Sequence, residues 1–125
     1  MTEGGIPTRT RDFINRHISS VEQIELLILL AAIPEKRWTM PQLVKELRSS
    51  EGSISQRLRP LLEQGLVACD GESFFFAPTP PEKAVLCREA LTVYQEYRVR
   101  VIELIYSQSG ALKSFSDAFK FKPKD

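Results

Sequence analysis

The stretch from Met40 to Val67 constrains the fold of this 125-residue chain more than any other part of the sequence. The apolar residues of its second half recur at i, i+4, i+7 and i+8, as on one helix face: Ile54, Leu58, Leu61 and Leu62. Gly65 follows, where a left-handed helix cap favours a residue without a Cβ atom. Leu66 and Val67 then open a strand. The pattern therefore predicts a helix over residues 51–64 that leads directly into a strand.

A shorter helix precedes this one. Thr39 and Gln42 have the spacing of a capping box, which satisfies backbone N–H groups at a helix start. The predicted buried face of this helix consists of Leu43, Val44 and Leu47. Helices near residues 40–48 and 51–64, joined by a short turn, form a helix-turn-helix. The second helix of this motif commonly enters the major groove of DNA.

The remaining elements predict a mainly α-helical fold with one small hairpin. A capping box at residues 19–22 opens a helix that is apolar nearly all round, as expected of a central buried helix. Asp70-Gly71 has the composition of a two-residue type I′ turn, here at the tip of a β-hairpin wing. We predict helices near residues 12–18, 21–32, 40–48, 51–64 and 80–107, and a hairpin at 66–77. The predicted divisions are a flexible N-terminus (1–10), a winged helix-turn-helix domain (11–78), and a long C-terminal helix with a Phe/Lys-rich tail (79–125).

Positive charge is concentrated on the helix-turn-helix. The whole chain has a formal net charge of only +1, but the segment from Lys36 to Arg59 holds six basic residues against two acidic ones, or +4. Residues 1–35 sum to −2 and residues 60–125 to −1. A phosphate-binding surface requires such a local excess of positive charge. Charged helix faces are nevertheless often only solvated, so the charge alone does not decide the function.

The polar face of the second helix supplies candidate DNA contacts. The side chains facing away from its apolar stripe are Ser53, Gln56 and Arg59, with Ser55 and Arg57 on the flanks. Glutamine can form a bidentate contact with adenine, arginine can bind guanine or phosphate, and serine hydroxyls suit phosphates. This face predicts double-stranded DNA as a partner. The alternative is that it is only the solvent face of a surface helix.

The predicted wing departs from what DNA binding favours. No lysine or arginine lies between Arg59 and Lys83, and the turn region carries Asp70 and Glu72, which would repel phosphate. Two hypotheses follow. The chain is a transcriptional regulator that binds DNA through its helix alone, or it is a winged-helix adaptor that binds another protein and does not bind DNA.

Residues 61–67, Leu-Leu-Glu-Gln-Gly-Leu-Val, resemble the close of the recognition helix in bacterial winged-helix regulators such as the MarR-like group. The resemblance covers about residues 20–76. The long helix that follows resembles the dimerising C-terminal helix of such regulators, and the tail resembles the end of small stand-alone members. The resemblance implies a bacterial, cytoplasmic, DNA-binding regulator, and it supplies neither a ligand nor a target sequence.

The predicted C-terminal helix carries two adjacent apolar stripes, which is more than a helix needs to cover its own small domain. An uncovered second stripe would drive association. We therefore predict a homodimer through the Phe-rich tail and five helix residues: Val93, Tyr97, Val101, Leu104 and Ile105. The alternative is a monomer in which Leu112, Phe115 and Phe119 fold back over the second stripe.

The sequence offers no basis for catalysis, a metal site or a cofactor. It contains no glycine-rich phosphate loop and no serine elbow, and His17, its only histidine, has no Cys or His neighbour at ligand spacing. Two cysteines are too few for a disulfide framework. The apolar run at residues 24–33 is too short to span a bilayer. We expect a cytoplasmic protein that is not an enzyme and does not bind membranes.

Overall fold

A computed structural model describes the backbone of residues 2–3 and 5–109 and the side chains of residues 5–107. The helices in this range are α1 (Thr8–His17), α2 (Val21–Ala32), α3 (Met40–Leu47), α4 (Glu51–Glu63), α5 (Pro81–Glu96) and α6 (Arg98–Ser109). The strands are β1 (Thr2–Glu3), β2 (Ile6–Pro7), β3 (Trp38–Thr39), β4 (Val67–Asp70) and β5 (Ser73–Phe76). The predicted Phe/Lys-rich tail lies outside the described residues.

Helix α2 forms the centre of the core. Four of its side chains are fully buried: Ile24, Leu26, Leu27 and Leu30. Ser20 caps the helix, because its hydroxyl accepts a hydrogen bond from the Gln23 amide at 3.1 Å. α2 packs against α4, α5 and β5. The all-round apolar pattern is therefore confirmed as that of a central buried helix.

The wing is part of a three-stranded antiparallel sheet in the order β3-β5-β4. Asp70 pairs with Ser73, which leaves Gly71 and Glu72 as the two loop residues. Of these two, only Gly71 has a positive φ, at 66°. That pattern fits a type II′ turn with glycine at its first central position, whereas type I′ requires positive φ at both. The hairpin is confirmed, but the predicted type I′ turn at Asp70-Gly71 is wrong by one position.

The N-terminal segment contains regular structure where flexibility was predicted for residues 1–10. β1 pairs with β2, and α1 already begins at Thr8. Thr10 is fully buried, and its hydroxyl donates a hydrogen bond to Glu89 of α5 at 3.1 Å. Gly5, with a φ of 90°, lies so close to Tyr97 that an added Cβ atom would be 2.8 Å from the ring. Residues 5–10 are therefore held by partners distant in sequence, and the flexibility predicted for this part of the N-terminus is not observed.

The helix predicted from residue 80 to 107 is divided at Tyr97. This residue has φ −128° and ψ 52°, so α5 ends there and α6 begins at the next residue. Glu25 of α2 stabilises both sides of the junction, accepting hydrogen bonds from the Tyr94 hydroxyl at 2.7 Å and from Arg98 at 2.8 Å. Burial, together with the Glu25 carboxylate, raises the pKa of Tyr94 to about 12. The change of direction lets both α5 and α6 pack against α1.

Candidate nucleic-acid interface

Local signals fix both helices of the helix-turn-helix. The predicted capping box is confirmed, since Thr39 accepts from the Gln42 amide while the Gln42 side chain accepts from the Thr39 amide at 2.9 Å. Ser50 caps α4 by accepting from the Ser53 amide at 3.2 Å. Arg48, in the turn, adopts the left-handed conformation with a φ of 52°. The turn therefore consists of three residues, 48–50, between the end of α3 and the start of α4.

Helix α4 has a buried face and a polar exposed face, as predicted. Ile54, Leu58 and Leu61 lie in the core, whereas Gln56 and Arg59 are exposed and Ser55 is half-buried. Leu62 packs on the edge of the same core. The exposed side chains offer an amide, a guanidinium and a hydroxyl on one surface. These groups can read base edges or bind phosphate oxygens.

Two predicted DNA contacts, Ser53 and Arg57, point instead toward Glu22 at the start of α2. The Ser53 hydroxyl and the Arg57 Nε both donate hydrogen bonds to Glu22 Oε1, the latter at 3.1 Å. The Ser49 hydroxyl donates to Oε2 of the same carboxylate at 2.5 Å. The Ser53 hydroxyl and the Arg57 Nε are therefore engaged by a carboxylate of the same chain in this conformation, and the role of both residues in DNA binding stays a prediction.

The charge state of Glu22 reflects this environment. Partial burial by itself raises the pKa of Glu22, but the hydrogen bonds from Ser49, Ser53 and Arg57 outweigh that effect and hold its pKa below the usual value. Glu22 therefore remains ionised at neutral pH. The sequence pattern offered no sign of this contact, because Glu22 lies 31 and 35 positions from the residues of α4 that it binds.

Gln23 adds a second attachment between α2 and α4. Its side chain is 1% exposed, and its Nε2 donates a hydrogen bond to the backbone carbonyl of Arg57 at 3.0 Å. Its Oε1 accepts from the Ser19 amide at 2.8 Å. A buried amide with both ends satisfied favours one arrangement of the two helices. Gln23 was not among the predicted site residues, although a glutamine within an almost wholly apolar helix is a usable signal.

The C-terminal end of α4 is attached to α1 and α5. Gln64, its C-cap, has its Oε1 atom 2.7 Å from Nδ1 of His17. Lys83 of α5 donates a hydrogen bond to the Gln64 carbonyl at 2.5 Å, which places a positive charge at the negative end of the helix dipole. Burial is the main cause of the lowered pKa of His17, and the charge of Lys83 lowers this pKa further.

Basic residues next to β3 partly offset the acidic charge of the wing. Arg37 lies over the ring of Phe75 at 3.9 Å and forms an ion pair of 3.6 Å with Asp70. Lys36 lies over the ring of Trp38 at 3.8 Å. The hairpin of β4 and β5 alone does not predict these contacts, because they require β3 as a third strand of the sheet. The wing sheet therefore carries both signs of charge.

The five predicted dimerisation residues are divided between the interior and the surface. Val93, Val101 and Ile105 are buried within the single chain, so they cannot provide an exposed surface for a second copy in this conformation. Leu104 is half-buried, and Tyr97 is 41% exposed. The role predicted for the three buried residues is corrected for a physical reason. The break at Tyr97 turns α6 onto α1, and both apolar stripes thereby contribute to one core.

Neither a metal site nor a membrane span occurs within the described part of the chain. No group of three or more His, Cys, Asp or Glu side chains there could hold a metal ion. None of the helices described combines the length and apolarity needed to cross a bilayer. Cys69 is exposed, whereas Cys87 is buried, and burial raises the pKa of the Cys87 thiol to about 12. Cys87 is therefore protonated at neutral pH.

The fold defined by these elements is a winged helix-turn-helix, and the predicted fold class is confirmed. The chain is similar to the crystal structure of MepR, a transcription regulator of the Staphylococcus aureus multidrug efflux pump MepA. The match has a TM-score of 0.55 and covers 94% of this chain and 88% of that chain, at 13% sequence identity. At such identity the likeness establishes a shared fold. No protein-family model matches the chain, and no curated protein matches it.

Proposed function

We propose that this chain is a cytoplasmic transcriptional regulator that binds double-stranded DNA by placing α4 in the major groove. The carrying observation is the exposed face of α4, where Gln56 and Arg59 lie opposite the buried stripe that anchors the helix. Gln56 would read a base edge, Arg59 would bind guanine or phosphate, and Ser55 would bind phosphate. The likeness to a transcription regulator supports this proposal at the level of the fold.

The charge around α4 favours an electrostatic contribution to binding. Lys45 and Arg48 are exposed at the end of α3 and in the turn. Lys36 and Arg37 lie next to β3 of the wing sheet. Contacts of such residues with phosphates would release counterions, so the proposal requires an affinity that falls as salt concentration rises.

Selection of duplexes from a random pool tests the proposal. We expect one enriched motif. The logarithm of its binding constant should decrease linearly with the logarithm of the salt concentration. Gln56→Ala should reduce discrimination at one base position by about 1–3 kcal/mol while leaving the salt dependence unchanged. The matched control is Gln95→Ala, because Gln95 is an exposed glutamine on α5. This substitution should change neither the base discrimination nor the salt dependence. A protein partner recovered in stoichiometric amount without any DNA would favour the adaptor hypothesis instead.

We further propose that the regulator is a homodimer, through a surface that differs from the one first predicted. The outer side of α6 carries Val99, Ile102 and Tyr106 at i, i+3 and i+7, with Val99 67% and Tyr106 49% exposed. A twofold dimer would present two copies of α4 to successive half-sites. Light scattering should give about twice the chain mass of 14.2 kDa. Val99→Glu should reduce this mass to that of the monomer, whereas Thr92→Glu, an exposed control on α5, should not.

A further inference from the structure

We infer that Glu22 is a specificity-determining positioning residue, which withholds Arg57 from DNA phosphates and fixes the orientation of α4. This inference rests on the proposed DNA-binding function. Its basis is the convergence of three donors, from Ser49, Ser53 and Arg57, on one carboxylate of α2. Two hydroxyls and a guanidinium around an anion form the same kind of environment that binds a phosphate group. In this chain the Glu22 carboxylate already occupies the position that a phosphate group would take.

The positions of these contacts make Glu22 suited to orienting α4. Ser53 and Arg57 are four residues apart and therefore lie one turn apart on the same side of the helix. Ser49 belongs to the turn before α4, so one carboxylate contacts the turn and two successive helical turns. Gln23 binds the Arg57 carbonyl from the adjacent position on α2. Rotation of α4 about its axis would break all of these contacts together.

The Glu22 contacts distinguish the two arginines of α4, because one is paired with this carboxylate and the other is exposed. The Arg57 side chain is 31% exposed and forms an ion pair with Glu22. Arg59 is exposed on the neighbouring face. Arg57 contacts with phosphate would add affinity for every sequence alike, because phosphates carry no sequence information. Holding Arg57 on Glu22 therefore limits the affinity for all sequences, whereas discrimination between sequences depends on the orientation of α4 that the Glu22 contacts fix.

Glu22→Gln is the most informative variant. Glutamine keeps the shape of the side chain, and its one carbonyl oxygen can still accept the hydrogen bond from Ser53. Its NH2 group takes the place of Oε2, so it can only donate to the Ser49 hydroxyl, and the side chain cannot form an ion pair with Arg57. We expect tighter binding to unrelated duplexes. The plot of log binding constant against log salt concentration should become steeper by about 0.9, which corresponds to one additional phosphate contact. The ratio of specific to nonspecific affinity should fall about fivefold or more, near the lower limit for one bidentate base contact, because α4 loses contacts that fix its orientation.

Matched variants separate this role from a simple change of charge or loss of stability. Glu51→Gln removes an exposed acidic residue from the first turn of α4, and it should leave the specificity ratio and the slope unchanged. Arg57→Gln in the wild-type background should not reduce the slope, because Arg57 is already held by Glu22. Combined with Glu22→Gln, it should abolish the steeper slope. Chemical unfolding of each variant establishes that the folded state is being compared.

Each result decides the inference. Steeper salt dependence and lower discrimination in Glu22→Gln would support it, provided that the double variant reverses the steeper salt dependence but not the lower discrimination. An unchanged slope and ratio in Glu22→Gln, while the wild type binds a motif selectively, would overturn the inference and leave the proposed function intact. A loss of slope in Arg57→Gln alone would also overturn it, since Arg57 would then already bind phosphate. If Glu22→Gln does not fold, Arg57→Gln alone decides: an unchanged slope supports the inference, and a reduced slope overturns it. A wild type without salt-dependent DNA binding would reject the proposed function itself.

Discussion

Replacing Ile105 with alanine should strongly destabilise the single folded chain. Ile105 lies on α6 and its side chain is fully buried. The substitution removes three carbon atoms, which corresponds to about 2.4 kcal/mol at ~0.8 kcal/mol for each buried methylene. The residual cavity adds to this loss, and isoleucine-to-alanine substitutions in cores cost about 2–5 kcal/mol. We therefore expect a loss of about 3 kcal/mol in the free energy of unfolding.

Urea unfolding followed by circular dichroism measures this loss. With a denaturant slope of about 2 kcal/mol/M for a chain of this size, the midpoint should fall by about 1.5 M. Val85→Ala is the matched control, because Val85 is a 60% exposed apolar residue on α5, outside the proposed dimer surface. Its effect should remain within about 0.5 kcal/mol. The midpoint shift for Ile105→Ala should be the same at two protein concentrations tenfold apart.

The result that would refute this reasoning is specific. If Ile105→Ala and Val85→Ala had equally small effects, α6 would not be packed on the core of its own chain. If the loss caused by Ile105→Ala depended on protein concentration, the burial of Ile105 would instead depend on a second copy. The original assignment of Ile105 to a dimer interface would then be restored.

Three further substitutions test the local geometry. Gly65→Ala should lower the melting temperature by about 4 °C or more, because Gly65 has a φ of 77° and an added Cβ atom would lie 3.1 Å from the Thr79 carbonyl. Arg48→Gly should raise the stability by up to about 1 kcal/mol in urea unfolding, whereas Arg48→Ala should not, because only glycine relieves the φ of 52°. The pKa of His17 is lowered in the folded state, so the unfolded chain takes up a proton first as the pH falls. The contribution of His17 to stability is therefore complete above about pH 6.5 and declines as the pH falls from there through its folded-state pKa, and His17→Gln should remove this decline in unfolding midpoints.

The helix-turn-helix could be predicted from the sequence because its signals are local. The capping box of Thr39 and Gln42, the apolar spacing of α4 and the glycine after it all act within a few residues. The buried faces of α2 and α4 followed from periodicity for the same reason. Interactions between residues close in sequence can therefore be predicted from the spacing of residue types along the chain.

The break at Tyr97 and the Glu22 cluster could not be predicted in this way. No glycine or proline marks the junction between α5 and α6, and the apolar spacing continues across it. The break is stabilised by Glu25, which lies 69 positions away from Tyr94. Ser53 and Arg57 similarly have the polar character of DNA contacts until the position of Glu22 is known. Side-chain type indicates what a residue can bind, whereas its tertiary neighbours determine whether it is available.

The wing shows how a partner strand changes the interpretation of charge. Its own two strands contain no basic residue, which favoured the adaptor hypothesis. Pairing of β3 with β5 brings the preceding residue, Arg37, to the wing, where it pairs with Asp70 and lies over the Phe75 ring. The acidic wing is therefore a weaker objection to DNA binding than the linear sequence indicated.

The most direct test of the central claim is a titration of the ¹⁵N-labelled protein with its selected duplex, followed by the backbone amide resonances. Our account predicts that the largest shifts occur at Gly52, Ser55, Gln56 and Arg59 on the exposed face of α4, and that raising the salt concentration reverses them. Shifts confined to α5 and α6, or shifts that are insensitive to salt, would contradict the assignment of α4 as the DNA-reading helix.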